Sequence, residues 1–119
     1  MDVLSAPVAD VAASTGQRAS VSVVVPVYNE DAVLSEFHRR LATVLDALPA
    51  DTEIIYVNDG STDRSMPLLV ELRGTDPRVA VIDLSRNFGK EIAMSAGLDH
   101  AQGDAVIIID ADLQDPPVS

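Results

Sequence analysis

Apolar and polar positions change period several times along the chain, and each change predicts an element. Ser20–Pro26 reads Ser-Val-Ser-Val-Val-Val-Pro, a β-branched run that predicts a strand stopped by proline. From Asp31 to Leu48, apolar residues fall at Val33, Leu34, Phe37, Leu41, Val44, Leu45 and Leu48. Spacings of three and four put these on one face of a helix, which Pro49 ends. Glu53–Asn58 predicts a second strand, and Gly60-Ser61-Thr62-Asp63 a turn with helix-capping residues. The second helix should run to about Arg73 with Leu68, Leu69 and Leu72 inward. Pro67 fits only in its first turn, so Ser61–Ser65 reads as a loose lead-in. Val79–Leu84 predicts a third strand and Gly89–Ala101 a third helix, ended near Gly103. Ala105–Asp110 (Ala-Val-Ile-Ile-Ile-Asp) predicts a fourth strand.

Strands and helices alternate from end to end. That order predicts an α/β fold, a Rossmann-like parallel sheet with helices on both faces. Ligands of such sheets sit beyond the carboxyl ends of the strands, where strand order reverses. Tyr28-Asn29-Glu30 follow the first strand and Asp59-Gly60-Ser61 the second. Arg86-Asn87-Phe88-Gly89-Lys90 follow the third, and Asp110, Asp112 and Gln114 the fourth. The unusual polar residues therefore gather on one rim. The fourth strand is apolar on both faces, as a central strand is, yet the chain stops soon after it at Asp115-Pro116-Pro117-Val118-Ser119. We read this as a truncation that leaves the fourth strand an exposed edge and favours self-association into a homo-oligomer. Residues 1–19 read as a disordered tail and residues 20–119 as the N-terminal part of one larger domain.

Composition narrows the function. The net charge is −11, from 19 acidic and 8 basic residues. A surface this acidic repels nucleic acid, and an anionic substrate needs local cations or a metal to be held. There is no cysteine, which removes disulfides and thiolate metal sites and fits a cytoplasmic location. No apolar run reaches the roughly 18–20 residues of a membrane span, and the N-terminus lacks the pattern of a signal peptide.

The rim clusters carry the candidate chemistry. Asp110, Asp112 and Gln114 alternate just past a strand, so all three oxygens could meet one ion. Such hard donors suit Mg2+ or Mn2+, which would offset the charge of a bound diphosphate. Asp59 is an acceptor suited to a ring N–H of a nucleobase, while Asp63 reads as a helix-starting residue. Tyr28 offers a flat face for a base, and Glu30 an acceptor for hydroxyl or ring N–H groups; the alternative is that Asn29 or Glu30 merely favours the helix start and Tyr28 packs. Lys90, with the free N–H groups at a helix start, favours a phosphate; Arg86 is either a second phosphate contact or surface charge. His38 and His100 read as surface or structural residues without partners.

Four stretches together resemble family 2 glycosyltransferases: Val-Val-Val-Pro-Val-Tyr-Asn-Glu, Val-Asn-Asp-Gly-Ser-Thr-Asp, Ser-Arg-Asn-Phe-Gly-Lys-Glu and Asp-Ala-Asp-Leu-Gln-Asp-Pro-Pro. The last two are most similar to the branch that loads sugar onto polyprenyl phosphate, the dolichyl-phosphate mannose synthases and bactoprenol glucosyltransferases. The resemblance runs from about Ser20 to Pro117. It implies the nucleotide-diphospho-sugar transferase fold, donor contacts from Pro26, Tyr28, Glu30 and Asp59, and Lys90 near the donor pyrophosphate. It also implies that Asp110, Asp112 and Gln114 hold the metal. The implied donor is a UDP-sugar, with a GDP-sugar as the alternative. The implied acceptor is a polyprenyl phosphate, met by the parent protein at the cytoplasmic face of a membrane and attacking with inversion. Relatives continue well past the Asp-Pro-Pro, so acceptor-side catalytic groups are expected beyond Ser119. Two other readings stay open: a nucleotide-binding fragment without turnover, and a polysaccharide-synthase-type transferase. A nucleotidyltransferase is disfavoured, because Pro-Val-Tyr-Asn-Glu stands where its glycine-rich loop would be.

Overall fold

The computed structural model describes residues 19–111. The order is β1 (Ala19–Val27), α1 (Leu34–Asp46), β2 (Ala50–Asn58), α2 (Ser65–Thr75), β3 (Val79–Asp83), α3 (Lys90–His100) and β4 (Ala105–Ile108). All strand pairs are parallel and the sheet order is β3-β2-β1-β4. The chain steps outward from β1 through β2 to β3, then returns to the other side of β1. The point of reversal lies between β1 and β4.

Side chains along β1 point alternately to the two faces of the sheet and join two separate cores. Val21, Val23, Val25 and Val27 join Leu34, Phe37, Leu41 and Leu45 of α1 and Leu69 of α2. Val24 faces the other way and joins Ile55, Val57 and Ala93 of α3. Helices α1 and α2 thus cover one face and α3 the other. A crossover of fixed hand requires this once the direction of travel reverses. The α3 face uses small residues. A Cβ on Gly97 would lie 2.3 Å from Val24 Cγ1, so the bare backbone there lets α3 sit close to the sheet.

Pro26 does not stop β1, which continues to Val27 and pairs Pro26 with Val57. Successive strand residues point their N–H and C=O to opposite neighbours. Val24 O accepts from Ile109 on the β4 side, and Val27 O accepts from Asp59 on the β2 side. Pro26 therefore faces the β4 side, beyond Ile108 where that strand has ended, so its missing N–H breaks no ladder bond.

Helix α1 is shorter than the periodicity predicts. Asp31–Val33 form a turn, Val44 is 60% exposed and Leu48 37% exposed. The buried stripe is Leu34, Phe37, His38, Leu41 and Leu45. His38 has partners, contrary to the sequence expectation. Its Nε2 lies 3.0 Å from Asp76 Oδ2 and its Nδ1 2.6 Å from the Tyr56 hydroxyl. An ionised carboxylate can only accept, so Nε2 carries the proton and Nδ1 takes the hydroxyl's. Arg78 grips both oxygens of Asp76, each at 2.9 Å. That pairing holds the Asp76 carboxyl well below the usual carboxylate range, with the His38 bond adding to it. Burial pushes the Tyr56 phenol up. Among the described residues β4 is an edge strand, paired with β1 alone.

Candidate functional site

The carboxyl ends of the strands form a rim of loops, and hydrogen bonds fasten the first two together. Asn29 N–H donates to Ser61 Oγ at 2.9 Å, and Thr62 N–H returns to Asn29 Oδ1 at 2.8 Å. Asp31 N–H donates to Asp63 Oδ2 at 3.1 Å, and Arg64 N–H returns to Asp31 Oδ2 at 3.1 Å. Glu30 N–H donates to Ser65 Oγ at 2.9 Å. Asn29 adopts φ 52°, a left-handed conformation that asparagine tolerates better than most side chains. The expected structural role of Asp63 fits, since its other oxygen accepts from Ser65 N–H at the start of α2. Burial raises the Asp63 pKa, but the bonds from Ser65 and Asp31 outweigh it and leave the carboxyl below its ordinary range. The lacing fixes the backbone that carries Tyr28 and Glu30. Tyr28 is 46% exposed, with its ring open to the rim. Pro26 and Glu30 are half-buried.

Asp59 lies one residue past β2 and is 3% exposed. Its N–H donates to Val27 O at 2.8 Å. Its carboxylate accepts from Phe88 N–H at 2.8 Å and from Gly89 N–H at 3.1 Å. The group assigned to a nucleobase from sequence thus binds the third rim loop with both oxygens. Gly60 completes the grip. It has φ +71°, and a Cβ there would lie 2.3 Å from the backbone of Arg86 and Asn87. The third loop therefore rests on the second through main-chain contact that only glycine permits. Arg86 lies over the Phe88 ring, 4.7 Å from its centroid.

Lys90 opens α3, directly after this clamped loop. Asp110 lies two residues past β4, and Ile109 N–H anchors that segment to Val24 O at 3.0 Å. The two side chains meet, with Lys90 Nζ 2.7 Å from Asp110 Oδ1. Asp112 and Gln114 lie outside the described residues. Among the described residues, no group of three or more histidine or acidic side chains is arranged to hold a metal ion. The one proposed donor that is described suits a divalent cation. Asp110 offers a hard, half-exposed carboxylate, and a cation already sits on it.

Past the ends of β2 and β3, the rim opens into a cavity of about 610 Å³, the size of a small-ligand site. Tyr28, Asn58, Gly60, Asp83 and Arg86 contribute to its wall. Asn58 Nδ2 donates to Asp83 Oδ1 at 3.0 Å. Sequence reading missed both residues, because a polar residue at the end of a strand carries no signal of its own. Their pairing across β2 and β3 is a product of register, which places Asn58 beside Asp83.

A family model, Glycosyl transferase family 2, matches residues 22–118. The chain belongs to glycosyltransferase family 2. Similar curated members of the family include an uncharacterized glycosyltransferase of Bacillus subtilis, YkcC, 56% identical over 96 residues. That match covers 81% of this chain and 30% of the relative. The bactoprenol glucosyl transferase of Shigella phage SfV is 47% identical over 96 residues, covering 81% of this chain and 31% of its own length. The chain thus spans about a third of the curated glycosyltransferases it matches. Solved structures agree on the fold. The Pyrobaculum calidifontis mannosyltransferase PcManGT, in complex with GDP-Man and Mn2+, superposes with TM-score 0.67 at 29% identity, over 77% of this chain and 27% of that one. S. aureus TarS 1-349 in complex with UDP gives TM-score 0.69 at 29% identity, over 78% and 27%. This glycosyltransferase chain has no helix among its described residues long and apolar enough to cross a membrane.

Proposed function

We propose that the chain forms the donor side of an inverting glycosyltransferase that binds a nucleoside-diphosphate sugar with Mg2+ or Mn2+ and passes the sugar to a polyprenyl phosphate. The observation that carries this is one of placement. The open Tyr28 ring follows β1, the cavity it helps to line follows β2 and β3, and Asp110 of the Lys90–Asp110 pair follows β4 beside the β1/β4 reversal, all on the carboxyl-end rim where sheets of this type take ligands. Tyr28 would stack on the base, with Asn58 and Asp83 within the cavity as its polar edge and Pro26 and Glu30 framing the approach. Lys90 and the unpaired N–H groups at the start of α3 would take the diphosphate. Asp59 would act by holding that loop in place. Asp110, with Asp112 and Gln114, would hold the divalent cation, whose contribution is to neutralise charge on the departing diphosphate.

The donors named for the two similar structures are GDP-Man and UDP, and the phage relatives are named for bactoprenol. We favour a UDP-sugar on the bactoprenol likeness, and a parent protein working at the cytoplasmic face of a membrane. A phosphate acceptor is already ionised at neutral pH and needs little help from a base. Calorimetric titration of the chain with UDP and GDP, with and without Mn2+, tests the reading, with Asp112→Ala as control. Binding that needs metal and disappears in the variant is expected. Failure of both nucleotides to bind the folded chain would overturn the reading for this chain.

A further inference from the structure

The Lys90–Asp110 contact joins two groups that the donor-site reading sends to different partners. Lys90 is assigned to phosphate and Asp110 to a divalent cation, yet here each neutralises the other at 2.7 Å. Both are anchored on regular structure. Lys90 begins α3 behind the loop that Asp59 clamps, and Asp110 follows the β4 segment bonded to β1. Their side chains are 57% and 54% exposed, so either can leave without opening the core. An ammonium and a divalent cation repel each other and compete for the same carboxylate oxygen.

We propose that Lys90 is an exchangeable counter-ion for Asp110, held by it in the ligand-free chain and transferred to the diphosphate when donor and divalent cation arrive. The proposal rests on the donor-site reading and deepens it. Without nucleotide, Lys90 keeps the metal site weak. An arriving diphosphate draws the ammonium toward itself, frees the Asp110 oxygen and so favours the metal. By linkage, the metal favours the diphosphate to the same degree. The acidic rim is thereby kept from collecting divalent cations in the absence of donor.

The test is Mn2+ binding to the nucleotide-free chain at low salt, read from the free-ion signal in electron paramagnetic resonance. Lys90→Met keeps the length of the side chain and removes its charge. Mn2+ binding about two- to fivefold tighter than in the unmodified chain is expected, the range open to an exposed ion pair. The same variant should bind UDP in the presence of Mn2+ more weakly. Lys90→Arg should match the unmodified chain, and Asp110→Asn should lose Mn2+. Circular dichroism establishes that each variant is folded. Equal or weaker Mn2+ binding by Lys90→Met would overturn the exchange, while loss in Asp110→Asn alone would leave the metal assignment standing. Absence of Mn2+ binding in every folded form, Lys90→Met included, would overturn both.

Discussion

The carboxylate of Asp59 holds the backbone N–H of Gly89 at 3.1 Å, and through it fixes the residue that precedes Lys90. A buried carboxylate at the end of β2 is thus the anchor of a loop that follows β3. Asp59→Ala would leave the Phe88 and Gly89 N–H groups without that partner. A loss of about 1–3 kcal/mol in urea unfolding is expected, with a smaller loss for Asp59→Asn, which keeps one acceptor oxygen. Unchanged stability of the alanine variant combined with lost nucleotide binding would instead place the carboxylate on the ligand.

Two glycines should respond in opposite directions. Gly97→Ala puts a methyl 2.3 Å from Val24 Cγ1, in the tight layer between α3 and the sheet. Overpacking there costs about 1–3 kcal/mol and outweighs the gain in helix propensity. Gly74→Ala, near the end of α2, meets nothing within 4 Å. It should gain up to about 1 kcal/mol from propensity alone. Thermal unfolding of the pair checks both signs. A stabilised Gly97→Ala would mean that α3 can lift away from β1 without cost.

Much of the fold was legible because its strands are β-branched runs and its helices repeat every three or four residues. The sequence placed the strands in order, and the polar residues it singled out among the described ones do fall at the carboxyl ends of the strands. What it missed depends on contacts far apart in the chain. Nothing near Asp59 announces that Phe88 and Gly89 will bring their N–H groups to it, and nothing near His38 announces Tyr56 and Asp76. Local patterns also overran their ends. Asp31–Val33 continue the helical period of α1 but turn instead, because the N–H and the carboxylate of Asp31 are tied to the loop after β2. Pro26 looked like a stop because the sequence does not reveal which neighbour its N–H would face. Asp112 and Gln114 lie outside the described residues, so their place in the proposed metal site rests on the motif.

The Asp76 cluster predicts how stability changes with acid. Arg78 lowers the Asp76 pKa in the folded chain, with help from His38, relative to an unfolded value near 3.9. A depressed carboxyl contributes stability that is present above the unfolded pKa and is lost as pH falls through the folded one. Stability should therefore hold above about pH 5 and decline as pH falls below about 4. Asp76→Asn should be less stable at neutral pH and show a shallower acid decline. Urea midpoints measured from pH 7 to pH 2.5 check this. A variant that declines as steeply as the unmodified chain would assign the acid sensitivity to other carboxylates.

The edge of the sheet makes the last prediction. β4 pairs with β1 on one side, and among the described residues no strand pairs with the other. Register places Val106 beside Ser22 and Ile108 beside Val24, on the face that α3 covers. α3 lies over β1 and β2, so Val106 and Ile108 remain 39% and 42% exposed. An open, β-branched edge with an apolar face is a template for another copy. The chain should therefore self-associate with rising concentration in sedimentation velocity. Ile108→Lys, which places a charge on the edge without touching the α1 core, should shift it toward monomer. If the variant associates as strongly as the unmodified chain, contact between copies runs through a different surface, and the exposure of Val106 and Ile108 has no part in it.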